Sequence, residues 1–233
     1  MNKFLKKIKF FNWIYKIQKI YKNSFPNKHF AQFGEDILVS TIFRNIKKGF
    51  YVDIGAYHPF KGSLTYNLYK KGWQGVNIDL SKASIELFQI ARPSDTNINC
   101  AISSENKETF YYENSPINQQ NSLEENPNAQ KIEINCYKLN TILDKYEVKK
   151  VDYMNIDAEG NDFKVISTFN FKKFNPTLVS IEFNDYNLSN LINSEINILM
   201  EKNNYQLISK FGVTCFYVQK ENIEKIKNIM SIQ

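Results

Sequence analysis

Short apolar runs alternate with amphipathic stretches along most of the chain, and the two spacings predict different elements. Ile37, Leu38, Ile42 and Phe43 recur at helical spacing, and Lys47-Lys48-Gly49 ends that helix. Phe50 to Ile54 reads as a buried strand running into Gly55-Ala56. Ser63 to Lys71 reads as a helix stopped by Gly72, and Gly75 to Asp79 as a second strand. Ser81 caps a helix that runs to about Ala91 before Pro93, and Ile98 to Ser103 is a third strand. Such β-α-β-α-β alternation demands a parallel sheet with right-handed crossovers.

Further on, Thr109 to Glu113 and Lys131 to Tyr137 predict two extra strands around a polar loop, Asn114 to Gln130. That loop is either filler or a substrate lid. Leu139 to Tyr146 is a helix, Val151 to Asp157 a strand, and a further helix follows. Thr177 to Phe183 is the fifth core strand and Leu188 to Lys202 a helix. Tyr205 to Lys210 and Val213 to Lys220 flank Phe211-Gly212 as a closing hairpin. The organisation expected is a helical arm over residues 1–30 and one domain over 31–233, with 104–137 inserted as a hairpin and loop.

Charge divides along the same line. The chain carries a net +6, but residues 1–34 hold eight Lys and no acid, so the remainder has 22 Lys and Arg against 24 Asp and Glu. A body this close to neutral argues against nucleic acid as a partner. The arm's Phe4, Ile8, Phe11 and Tyr15 are helically spaced, which leaves three readings: packing on the body, an interfacial helix on anionic lipid, or a dock for a partner enzyme. No apolar run reaches the length of a membrane span. Cys100, Cys136 and Cys215 lack CxxC spacing, and His29 and His58 are too few for a histidine metal cage. A cytoplasmic protein is expected, with the arm as its route to the inner face of a membrane.

Ligands of a parallel α/β sheet bind beyond the carboxyl ends of its strands. Asp53, Asp79, Asp157 and Glu182 all fall at such ends. Gly55 permits a tight turn, yet Tyr57-His58-Pro59-Phe60 follows where a dinucleotide fold would place its phosphate-cradling glycines. Asp79 sits where an acid accepts hydrogen bonds from ribose hydroxyls. A ribose acid without a phosphate loop favours S-adenosylmethionine over NAD. No Asp/Asn-Pro-Pro-Tyr stretch follows the fourth strand, so the amino-methylating enzymes of nucleic acids are a poor match.

The sequence resembles the FkbM family of S-adenosylmethionine-dependent methyltransferases. The matching segments are Gln32-Phe33-Gly34-Glu35-Asp36, Tyr51 to Ala56, Gly72 to Asp79, Arg92-Pro93, Asn155-Ile156-Asp157-Ala158-Glu159-Gly160 and Ile181-Glu182. The resemblance implies a Rossmann-like α/β fold: a seven-stranded, mostly parallel sheet with helices on both faces and an antiparallel last strand. It also implies O-methylation of a hydroxyl, with a sugar in polysaccharide or glycoconjugate synthesis as the leading substrate. A lipid or secondary metabolite, or a non-catalytic scaffold, are the alternatives. The cofactor set expected is Gln32, Glu35, Asp53, Gly55, Ala56, Ser63, Asp79, Leu80, Ala101 and Asp157. Methyl transfer to a hydroxyl needs a base, and His58 is preferred on its intrinsic pKa. Asp157 and Glu182 are then expected to orient the acceptor. They could also hold Mg²⁺ with Asn184, although a metal is not favoured.

Overall fold

The computed structural model describes residues 29–231. The expectations for the arm therefore lie mostly outside the described residues.

Helix α1 (Glu35–Ile42) leads into β1 (Phe50–Ile54). Then come α2 (Tyr66–Lys70), β2 (Gln74–Asp79), α3 (Lys82–Ala91) and β3 (Thr96–Asn99). Strands β4 (Ala101–Ile102), β5 (Lys107–Glu113) and β6 (Gln130–Tyr137) precede α4 (Leu139–Lys145) and β7 (Tyr153–Ile156). Helices α5 (Asp162–Ser167) and α6 (Phe171–Phe174) lead to β8 (Leu178–Glu182). The chain closes with α7 (Leu188–Ile192), α8 (Glu195–Lys202), β9 (Tyr205–Phe211), β10 (Thr214–Gln219) and α9 (Ile223–Ser231).

The main sheet has seven strands in the order β3-β2-β1-β7-β8-β10-β9. Strands β3, β2, β1, β7 and β8 are mutually parallel, while β10 runs antiparallel to both β8 and β9. The antiparallel last strand is thus present, and it lies inside the sheet rather than at its edge. Strand period puts alternate residues on opposite faces. Val52, Ile54, Met154, Ile156, Val179 and Ile181 pack into one buried cluster, and Tyr51, Tyr153 and Leu178 into the other. Both faces are covered, which is why these strands read as continuous apolar runs.

Four local readings are corrected. The third strand divides: β3 stays in the main sheet, while Ala101-Ile102 pairs with β6 in a small sheet of order β4-β6-β5. The helix expected from Ser63 starts at Tyr66, because Ser63 and Thr65 are engaged by Arg92 and Asp53. The long helix after Leu188 breaks, since the Ser194 side chain accepts from Asn197 N and caps a new start. Helix α9 was not foreseen; it buries Ile226 and Ile229.

Candidate active site

Parallel pairing brings the ends of β1, β2, β7 and β8 to one pole. Asp53, Asn155 and Ser180 face one another in register there. Asn155 donates to Asp53 Oδ1 at 2.9 Å, and Ser180 donates to Asn155 Oδ1 at 2.6 Å. Thr65 donates to the other Asp53 oxygen at 2.7 Å. Asp53 is buried, and that burial raises its pKa. Both oxygens are committed to the protein, so Asp53 frames the pole.

Arg92 completes the frame. It is wholly buried and donates from Nε to Pro59 O at 2.9 Å, from Nη1 to Thr65 Oγ1 at 2.8 Å and from Nη2 to Ser63 Oγ at 2.7 Å. One guanidinium thus fixes the loop from Pro59 to Thr65 and reaches Asp53 through Thr65. Ser63, expected to touch cofactor, instead spends its hydroxyl on Arg92 and on Tyr66 N, although it still lines the crevice.

The turn after β1 is built by close approach. Gly55 has φ +73°, and a Cβ there would lie 1.7 Å from the Asp157 carbonyl oxygen. Gly55 N and Ala56 N both donate to Ile78 O. The next residue, Tyr57, also takes a left-handed φ of +55°, and its N–H donates to Asp79 Oδ2 at 2.7 Å. Ser81 N donates to Asp79 Oδ1 at 2.7 Å. Each Asp79 oxygen therefore keeps an acceptor site for an incoming hydroxyl.

A crevice opens above this turn. Gly55, Ala56, Asp79 and Leu80 line it together with Asp157, Ala158 and Glu159. Cys100 and Ile102 line its wall, while Ala101 between them is fully buried and does not. Gln32 and Glu35 do not line it either. Glu35 is buried with Oε2 accepting from Phe33 N at 2.8 Å, and Gln32 is exposed. Asn118, Gln119, Asn121 and Leu123 of the 114–130 loop do line the crevice. Ser81 Oγ donates to Pro116 O, and Ser122 Oγ to Glu159 O at 3.1 Å, so the loop is fastened over the opening.

His58 is not among the lining residues. Its Nδ1 accepts from Phe60 N at 3.1 Å and Lys61 N at 3.0 Å. The neutral ring must then carry its proton on Nε2, which leaves no free lone pair to take another. Burial, with Lys61 and Arg92 nearby, also holds its pKa below the usual value. The geometry counts against the role of base that residue type suggested.

The carboxylates gather instead. Ile156 pairs with Ile181, so Asp157 and Glu182 leave adjacent strands side by side. One oxygen each from Asp157, Glu159 and Glu182 lies within 4.8 Å of the other two. Asp157 Oδ1 and Glu182 Oε2 are buried and receive no donor from elsewhere in the protein; the two carboxyls are within hydrogen-bond reach of each other, and Glu182 also bonds Asn184. Burial and mutual repulsion push Asp157 well above the usual carboxylate range, and Glu159 up to about 7. Glu159 entered the sequence reading only as part of a motif. Its direction is set by a left-handed φ of +46° before Gly160 at +88°.

Asp79 and Asp162 are each raised by burial from 3.8 to about 6. Glu159, raised to about 7, adds to them, so the folded chain binds more protons than the unfolded one from about pH 4 to beyond pH 7, and stability is lost as pH rises through that window. His58 acts in the opposite sense with one weaker group. The Tm of the ligand-free protein is expected to be about 3–6 °C higher at pH 5.5 than at pH 7.5. A Tm that falls on acidification over this range would contradict the burial of these three acids.

The profile of the methyltransferase FkbM domain matches residues 53–207, which contain the turn, Asp79, Arg92 and the three carboxylates. The chain belongs to the FkbM methyltransferase family. Among solved structures it is similar to a TehB-like SAM-dependent methyltransferase from Corynebacterium glutamicum, at 11% identity, 90% of this chain, 97% of that chain and a TM-score of 0.46. A search of curated proteins gives no match. The family implies S-adenosylmethionine, and the crevice fits it. Asp79 has acceptor capacity for ribose, Leu80 and Ile102 offer apolar walls for a base, and the carboxylates can face a sulfonium. Asp79→Ala is expected to weaken cofactor binding by about 10–100-fold, the loss of one or two hydrogen bonds to a charged group. An unchanged dissociation constant by calorimetry would remove Asp79 from the ribose site.

Proposed function

We propose that this methyltransferase acts on oxygen, and that its acceptor is a sugar hydroxyl in polysaccharide or glycoconjugate synthesis. The observation that carries the reading is the carboxylate group at the crevice, with Asp157 and Glu159 in its lining and a Glu182 oxygen within 4.8 Å of both. An aliphatic hydroxyl is a poor nucleophile and needs a proton acceptor close to the transferred methyl. The amide side chains that the 114–130 loop adds support a polyhydroxylated acceptor. Gln119 in particular lines the crevice, and its side chain is not engaged in a hydrogen bond among the described residues.

S-adenosylmethionine, when bound, supplies a methyl on a sulfonium: the acceptor's O–C bond forms as the S–C bond breaks, leaving a neutral thioether. Asp79 would hold the ribose, and the Gly55-Ala56 turn would lie against the cofactor. Arg92, Thr65 and Asp53 keep that turn in place. Glu159 lines the crevice and is raised only to about 7, near neutral pH, so we assign it the hydroxyl's proton. Asp157, which also lines the crevice, orients the acceptor beside it; Glu182 is outside the lining and acts through its neighbour Asp157. Nothing in this scheme uses His58. Neither a nucleic acid partner nor a membrane span is part of it; no helix among the described residues is long and apolar enough to cross a membrane.

The test is formation of S-adenosylhomocysteine from S-adenosylmethionine with a panel of nucleotide-sugars, free glycans, lipids and aromatic alcohols. Turnover confined to the sugars is expected. Turnover only with lipids or aromatic alcohols would overturn the acceptor class.

A further inference from the structure

Two buried acceptor oxygens in this site receive no N–H or O–H from the rest of the protein, and their carboxyls lie within hydrogen-bond reach of each other. Asp157 Oδ1 and Glu182 Oε2 are both buried, both are acceptors, and they leave neighbouring strand ends side by side. Asp157 Oδ1 is shielded from solvent although the residue as a whole is half-buried. Two buried carboxyls side by side must either share a proton or hold a cation between them. Ala158 N donates to Asp162 Oδ1 at 2.9 Å, which fixes the loop beneath the pair. Ser122 Oγ, on the carbonyl of Glu159, fixes it from above. The loop is thus held with its acids converging. Among the described residues, no Lys or Arg makes an ion pair with any of the three.

We infer that Asp157 and Glu182 hold a hard divalent cation, with Glu159 at its edge, and that the acceptor completes the coordination with two neighbouring oxygens. The donor set is oxygen alone, which selects Mg²⁺, Mn²⁺ or Ca²⁺ over softer metals. Oxygens on opposite sides of Ca²⁺ lie about 4.6–5.2 Å apart, and around Mg²⁺ about 4.0–4.2 Å. The three oxygens here fall within 4.8 Å of one another, so a cation needs little or no backbone movement. Two carboxylates neutralise the ion and leave several positions open toward the crevice. A vicinal diol or a hydroxy-acid unit fills two of them, whereas an isolated hydroxyl fills one. This choice of acceptor rests on the methyl-transfer reading above; binding of the cation does not.

The full-length protein, stripped with chelator, is titrated with Mg²⁺, Mn²⁺ and Ca²⁺ separately by calorimetry at pH 7.5, and its Tm is followed alongside. One cation per chain is expected, at half-saturation between about 10 µM and 1 mM, with a raised Tm. Asp157→Asn and Glu182→Gln should each weaken it at least tenfold. Glu224→Gln, an exposed acid on α9, should not. Circular dichroism checks that each variant is folded, and S-adenosylmethionine affinity is measured on the same samples. Absence of saturable binding by all three ions, in protein that still binds S-adenosylmethionine, would overturn the site and leave the methyltransferase intact. Equal binding by Asp157→Asn and wild type would overturn it too.

Discussion

Gly55→Val is expected to abolish cofactor binding and to lower stability by at least about 3 kcal/mol. Two costs add at this position. The left-handed φ of +73° penalises any side chain by about 1–2 kcal/mol, and a β-branched one more. The Cβ would also fall 1.7 Å from the Asp157 carbonyl, which is backbone and cannot rotate away. Relief requires the loops after β1 and β7 to part, and both loops line the crevice. Gly72→Ala is the natural control. Its φ is +91°, but nothing lies within 4 Å of the added atom, so only the conformational cost of about 1–2 kcal/mol applies. Chemical denaturation and calorimetry on the two variants separate the terms. Near-normal affinity in Gly55→Val would show that the turn does not meet the cofactor.

Glu159→Gln is expected to cut turnover by about 10²–10⁴-fold, the usual span for a lost general base. Cofactor affinity should stay within about threefold, because Asp79 and the Gly55 turn are untouched. His58→Ala should keep turnover within about fivefold at saturating substrates, since its Nδ1 lone pair already serves Phe60 N and Lys61 N. Single-turnover rates on both variants decide between the two residues. A large loss in His58→Ala with near-normal Glu159→Gln would return the base to the histidine.

The contrast between those residues shows what the sequence could and could not reveal. Histidine at position 58 suggests a base by its intrinsic pKa, but two backbone N–H groups occupy its lone pair, and only the loop's path decides that. Glu159 stood in plain view two residues beyond Asp157. Its approach to Asp157 and Glu182 depends on left-handed backbone at 159 and 160, which local pattern does not report. The parallel core was legible because strands buried on both faces leave long apolar runs. The polar row Asp53–Asn155–Ser180 was not, because it is created by register between strands whose residues are 102 and 25 positions apart in the chain. Arg92 was visible in a motif, yet its burial against Pro59, Ser63 and Thr65 is a tertiary fact. The division of the third strand likewise follows from β6 offering Ala101 and Ile102 a partner in another sheet.

The central claim, methyl transfer to an oxygen of a sugar, is tested most directly by locating the transferred group. The purified full-length protein is incubated with ¹³C-methyl-labelled S-adenosylmethionine and the sugar panel, and the product is read by NMR. The account expects one labelled methoxy group on a ring or side-chain oxygen of a sugar, formed together with an equal amount of S-adenosylhomocysteine. Saturable cofactor binding with no labelled product from any acceptor, or label on nitrogen or carbon, would contradict it.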